Sequence, residues 1–265
     1  MSRATTPFTS NSLNQENTAK LRRPYRAAEA IKQWIVEHGL QPGDPLPQEH
    51  VLIEMFKMSK GTIRETMRIL EVQGLIRTRT GPKGGAFVNA VSEPLASNLL
   101  SNYFYFQNLS VSDIYQLRRT LEPELAASLA GKLEEADLQR LESIINKYTE
   151  PAKNLEEERD HHVDSLQFHI VLAELADNSM LGFMIRFMSR MLTDMTVSRE
   201  LYNPPNRELW AKGTAYQLKL IDALRRGDSE LARDIMVEHM TMAQERMEKQ
   251  ELELSKRFLP PVGHD

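Results

Sequence analysis

The chain has 265 residues, 41% of them hydrophobic and 26% charged, with a formal net charge of −4 and no cysteine. That length suffices for two domains of ordinary size and a buried core that needs no staples. The absence of cysteine excludes disulfides, iron–sulfur ligation and thiolate zinc sites, leaves any metal to His, Asp or Glu, and fits a reducing cytoplasm.

The first nineteen residues, "MSRATTPFTSNSLNQENTA", are rich in Ser, Thr and Asn and lack the apolar run of a secretory signal. Residues 1–20 are therefore expected to be a disordered tail on a cytoplasmic protein. No later stretch approaches the ~18 apolar residues of a membrane span, so no membrane partner is expected. From Pro24 to His38 the apolar positions Ala27, Ala30, Ile31, Trp34 and Ile35 recur at helical spacing, and the Gly and Pro residues of "GLQPGDPLP" end that helix. A short helix with Val51, Leu52, Met55 and Phe56 inward follows. Ser59, a good N-cap residue, starts a third helix running to about Gln73 and closing at Gly74, with Thr62 and Glu65 as an alternative capping box. Residues 75–89, "LIRTRTGPKGGAFVN", read as two short strands around a Gly/Pro turn. Beyond Ser92 the periodicity is helical, with helices expected near 93–107, 110–131, 134–149, 155–176, 179–200, 207–226 and 228–255.

Charge is distributed unevenly over this layout. Residues 1–90 carry 13 Lys/Arg against 8 Asp/Glu, and the remainder 20 against 29, so the front half is the better polyanion binder. On the third helix Lys60, Arg64 and Arg68 form one stripe beside the apolar stripe of Ile63, Met67 and Leu70. A short helix, a tight turn and a second helix with a cationic outer face are the parts of a helix-turn-helix, because a helix fits the major groove. The hairpin adds Arg77, Arg79 and Lys83, with Gly81, Gly84 and Gly85 allowing close backbone approach, and so makes a wing. The competing reading of such a stripe alone is a solvated helix face.

Residues 24–89 resemble the winged helix-turn-helix of the GntR family of bacterial transcription regulators, in "GLQPGDPLPQEHVL", "MSKGTIRETMRILEVQGLI" and "GPKGGAFV". The family pattern has Ser-Glu-Arg after the Leu-Pro and an Arg after the turn serine, where this chain has Gln48, Glu49, His50 and Lys60. The resemblance implies DNA contacts from His50, Lys60, Thr62, Arg64 and Arg68 and from the wing at Lys83, Gly84 and Gly85. Lys60 keeps the arginine's charge and loses its bidentate fork.

Residues 93–250 are similar to the FadR-type effector domain of that family, through "YQLRRTLEPELAASLA", "FHIVLAELADNSML" and "LIDALRRGDSELARDIMVEHM". The resemblance implies a homodimer whose DNA binding changes when a small molecule fills the helical bundle. Many such domains hold a metal through an aspartate and three histidines, and the matching positions here are Ser165, His169, Gln217 and His239. Serine and glutamine replace a carboxylate and an imidazole poorly, so no divalent metal is expected; His169 and His239 are the remaining candidate ligands, with Asp164 and His162 nearby. The four positions are instead expected to form the polar end of an organic-ligand pocket. Arg118 matches an arginine that reaches a ligand carboxylate, and it also lies four residues before Glu122, where a helical ion pair is the alternative. The methionine rows 184–195 and 236–247 suit either plain core or an adaptable pocket. The acidic run "NLEEERDHH" reads as a solvated helix start.

The expected protein is mostly α: a tail over 1–20, a winged helix-turn-helix DNA-binding domain over 21–90, an all-α helical-bundle effector-binding and dimerisation domain over 91–255, and a C-terminal tail over 256–265. The expected function is a ligand-responsive transcriptional regulator, a homodimeric repressor released from a pseudo-palindromic double-stranded DNA operator by an organic-acid or acyl-type metabolite. Alternatives are a metal-dependent regulator of the same family and an architectural DNA-binding protein without an effector. No glycine-rich phosphate loop, His-Glu-x-x-His or serine nucleophile elbow points to an enzyme.

Overall fold

The structure, a computed structural model, describes residues 14–81 and 84–257, with side chains over 23–254 apart from 82 and 83. Its elements are α1 (Asn14–Glu37), α2 (Glu49–Phe56), α3 (Lys60–Val72), β1 (Ile76–Arg79), β2 (Gly85–Val88), α4 (Glu93–Tyr105), α5 (Val111–Leu129), α6 (Glu135–Ile145), a 3-10 turn (Asn146–Tyr148), α7 (Leu155–Glu174), α8 (Ser179–Ser198), α9 (Arg207–Arg226) and α10 (Ser229–Arg257). The mostly helical reading with a two-stranded wing is what the chain adopts. Among the described residues no helix is long and apolar enough to cross a membrane.

Two boundaries differ from expectation. Helix α1 takes in residues 14–20, assigned above to a tail, and runs through Pro24. A proline inside a helix removes one hydrogen bond and crowds the preceding turn, which is why Pro24 looked like a start. Contacts divide the chain into two compact units between Leu99 and Leu100, inside α4, and not near residue 90. The start of α4 packs with the first unit: a Cβ on Gly74, itself at φ +73°, would meet Leu95 Cδ2 at 2.7 Å.

In the first unit Ala28, Ile31, Leu46, Leu70, Ile76 and Val88 form the core, drawn from α1, α3, the wing and the loop before α2. Ser59 caps α3 as expected, its side chain accepting from Thr62 N. Strands β1 and β2 pair antiparallel with Ile76 opposite Val88 and Arg79 opposite Gly85. Glu71 ties the wing to α3 by accepting from both Thr78 N (2.9 Å) and Thr78 Oγ1 (2.8 Å). Gly84 has no alternative: a Cβ there would lie 2.5 Å from Arg79 O.

The second unit is a helical bundle in which α10 packs along α5 and α7 against α8. Its helix starts follow local chemistry. Ser110 and Asp113 form a capping box, and Asn154, Asn178 and Asn206 cap α7, α8 and α9. Met188, Met195 and Met236 sit in the continuous apolar core with Leu125, Phe168 and Leu220.

Candidate functional site

The cationic stripe of α3 lies at the surface. The side chains of Lys60, Arg64 and Arg68 are 64%, 64% and 79% exposed, while Ile63 and Leu70 are fully buried. Thr62, half-buried, bonds the capping Ser59 (2.9 Å between hydroxyl oxygens), and Thr66 is buried with its hydroxyl donating to Thr62 O (2.8 Å). His50 is exposed on α2, and Gly84 and Gly85 end the turn into β2; Lys83 lies outside the described residues. Arg79 stacks over Phe87, 4.9 Å from the ring centre, which commits that guanidinium to the wing itself. Glu49, at the start of α2, reaches Arg64 Nε at 3.2 Å and Lys60 Nζ at 3.8 Å.

The second unit holds a different arrangement of charge. Helices α5, α7 and α10 bring Arg118, Glu122, His169 and His239 together, all buried. Arg118 Nε donates to Glu122 Oε1, so the helical ion pair allowed by the sequence forms. The other Glu122 oxygen meets His169 Nδ1, and His169 Nε2 lies 3.3 Å from His239 Nε2. Burial pushes the Glu122 carboxyl up, but Arg118 and His169 outweigh it and hold it at about 2. Burial likewise keeps His169 below the ordinary imidazole value and His239 well below it. With both imidazoles neutral, the hydrogen bonds place the protons. An ionised carboxylate only accepts, so His169 carries its proton on Nδ1 and offers a lone pair at Nε2. His239 must then donate from Nε2, which leaves its Nδ1 as a bare acceptor, and that atom has no partner.

Arg118, His169 and His239 border a cavity of about 60 Å³, also lined by Tyr115, Tyr148, His161, Thr196, Trp210 and Met240. Ser165 lines it as well. Gln217 stands behind the wall: Tyr148 Oη donates to its Oε1 (2.7 Å), and its Nε2 donates to Ser165 O and Oγ, each at 3.3 Å. Of the two neighbours named from the sequence, Asp164 turns away to pair with Lys147 at 3.0 Å, while His162 lines the cavity and lies 3.6 Å from Glu158.

The acidic run that opens α7 is only partly solvated. Glu158 is buried and accepts from Asn206 N (2.9 Å), and His161 lines the cavity. Both escape sequence reasoning because a run of charges looks uniformly polar. The signal that was present is the helical spacing that sets His162 and His169 on one face. Glu122 is visible in the sequence as a partner for Arg118, but its bond to His169 spans 47 residues and has no local signature.

These residues do not suit the metal that many FadR-type domains hold. Two imidazoles face each other, but the positions of the other two ligands carry a serine and a glutamine already bonded to each other, with the Arg118 guanidinium close by. Among the described residues no three of His, Cys, Asp and Glu gather at metal-holding distances.

Comparison with known proteins matches both units. Residues 25–88 fit the profile of bacterial regulatory proteins of the gntR family, and residues 113–242 that of the FCD domain. The HTH-type transcriptional regulator LutR of Bacillus subtilis is 27% identical over 216 residues, covering 76% of this chain and 90% of that protein. The Uxu operon regulator of Haemophilus influenzae is 27% identical over 234 residues, 86% of this chain and 82% of its own. Among solved structures, Streptococcus agalactiae GntR superposes with a TM-score of 0.55 over 84% of this chain and 99% of its own, and at 21% identity this likeness shows the fold. With both units matched in order, the chain belongs to the GntR family as a DNA-binding transcription regulator, not an enzyme, whose winged helix-turn-helix is followed by an FCD domain.

Proposed function

We propose that this regulator is a homodimeric repressor that leaves a pseudo-palindromic operator when a small hydroxylated organic acid enters the cavity of its FCD domain. In this reading residues 21–90 bind DNA and 91–255 bind the effector and dimerise. Lys60, Thr62, Arg64 and Arg68 face the major groove, and His50 with the wing at Lys83, Gly84 and Gly85 meets the backbone or minor groove. Arg118, Ser165, His169 and His239 receive the effector, with Gln217 holding Ser165 and Tyr148 in place.

The observation that carries this reading is that four buried polar atoms without partners, Arg118 Nη2, His161 Nδ1, Thr196 Oγ1 and His239 Nδ1, belong to side chains lining one cavity. Buried polar groups are ordinarily paired, and leaving one unpaired costs about 1–3 kcal/mol. Arg118 Nη2 calls for an acceptor such as a carboxylate, and the bare His239 Nδ1 calls for a donor such as a hydroxyl. A free volume of about 60 Å³ takes roughly four to six water-sized groups, which favours a short polar acid over an acyl chain. Release follows by linkage: the acid weakens DNA binding to the extent that it prefers the conformation that binds DNA badly.

The test is native mass spectrometry of the freshly purified protein, followed by operator binding with two- to four-carbon 2-hydroxy acids and their deoxy analogues. The expected result is a metal-free dimer whose DNA affinity falls with a hydroxy acid, the deoxy analogue acting roughly tenfold or more weakly because His239 Nδ1 stays unpaired. A metal-sized increment on each chain would overturn the metal-free site. DNA affinity indifferent to every acid in the panel would overturn the effector assignment and favour an architectural protein.

A further inference from the structure

Beside the cationic face of α3, at the start of α2, stands a group whose charge is wrong for meeting DNA. Glu49 is 39% exposed, and its carboxylate touches both Arg64 and Lys60. A carboxylate beside phosphates weakens binding to any duplex. Helix α2 gains from an acidic residue in its first turn, but that benefit needs no contact with a helix beyond the turn. Nor does stability account for the contact, since exposed ion pairs contribute about 0–1 kcal/mol.

The detail that matters is which arginine nitrogen Glu49 holds. Oε2 of Glu49 lies 3.2 Å from Arg64 Nε, the nitrogen inside the chain, and not from the terminal pair. A bond at Nε fixes the plane of the guanidinium and leaves Nη1 and Nη2 as two parallel donors, the pair that matches O6 and N7 of a guanine. Glu49 and Arg64 lie together in a crevice floored by Pro47, Leu52, Met67 and Ala86, where apolar neighbours on one side limit the directions the arginine can take. Arg68, by comparison, meets Glu65 of its own helix at 3.8 Å, which ties it to nothing beyond α3.

We propose that Glu49 is a positioning residue for sequence reading: it presents Arg64 end-on to a base edge and repels DNA that offers Arg64 no such edge. The inference rests on the assignment of α3 as the groove-facing helix. On a matching site the held arginine has less freedom to lose on binding. On other DNA the carboxylate faces phosphates without compensation. Specificity is the difference between these two affinities, so one residue widens it from both ends.

The experiment uses the full-length protein and a pool of random duplexes. Sequences enriched by the unaltered protein, by Glu49→Ala and by Glu49→Gln are compared, and each protein is titrated on an enriched and a scrambled duplex. The unaltered protein is expected to enrich a guanine-containing half-site. Glu49→Ala is expected to lose preference at that guanine, tighten on scrambled DNA, and narrow the ratio of the two affinities by roughly tenfold. Glu49→Gln keeps an acceptor for Arg64 Nε without the charge, so it retains the base preference while tightening on scrambled DNA. If Glu49→Ala enriches the same sequence with an unchanged ratio, the positioning role is overturned. It is overturned equally if Glu49→Ala weakens on both duplexes alike with a lowered melting temperature, which marks a structural role. If the unaltered protein enriches nothing, the reading of α3 fails, and this inference with it.

Discussion

Arg64–Glu49 and Arg118–Glu122 are the same chemical pair in two environments. In the first unit the partners are 64% and 39% exposed, and in the second each is 1% exposed. A wet pair contributes about 0–1 kcal/mol and exchanges readily, so Arg64 can leave or keep its carboxylate at little cost. A dry pair has given up its hydration, and removing one partner costs about 3–5 kcal/mol because the other is left charged and buried. One unit therefore leaves its charges open to solvent, whereas the other uses them to fix orientations beside a cavity.

The largest expected effect breaks the buried pair. Glu122→Ala should cost about 3–5 kcal/mol in urea unfolding, and Arg118→Met with Glu122→Leu should restore most of it. Trp34 and Trp210 lie in different units, so fluorescence of single-tryptophan variants assigns the loss. A cost below about 1 kcal/mol at Trp210 would mean that the buried pair behaves like the exposed one.

Acid should separate the units in the same direction. Burial lowers His169 and His239 in the folded chain, so below the ordinary 6.5 of imidazole the unfolded chain takes up protons that the folded one refuses. Glu122 adds to this, protonating near 4.5 when unfolded and about 2 when folded. Both make the unfolded state the greater proton binder, so stability falls as pH falls, first through 6.5 and again between 4.5 and 2. Urea midpoints read at Trp210 should drop over both intervals. Midpoints independent of pH would contradict the proton assignment.

Smaller effects belong to the exposed side. Arg64→Ala should leave unfolding nearly unchanged and cost about 1–3 kcal/mol in discrimination between operator and scrambled DNA. Equal loss on both duplexes would make Arg64 a phosphate contact. Ser59→Ala removes the cap on Thr62 N and should cost about 1 kcal/mol of stability at Trp34, with less effect at Trp210.

The first unit was the more legible because its signals are local. The Ser59 cap, the inward Ile63 and Leu70, and the outward Lys60, Arg64 and Arg68 all lie within a dozen residues. In the second unit the helices were equally legible, since their starts depend on residues such as Ser110, Asn154 and Asn206. Its site was legible only in part. Resemblance supplied Arg118, Ser165, His169 and His239, while Tyr148, His161 and Thr196 entered the cavity wall from segments whose own pattern says only helix or turn.

By itself the sequence determined the helix-rich class, the two-part organisation and the cationic face of α3, because periodicity, capping and side-chain chemistry act over a few residues. Only the tertiary structure decided that Glu49 meets Arg64, that Gln217 supports the cavity from behind, and that Glu122 joins Arg118 to His169. Those contacts depend on how separate helices are rotated and brought together, and that is set by burial of the whole apolar core, not by the spacing of any one segment.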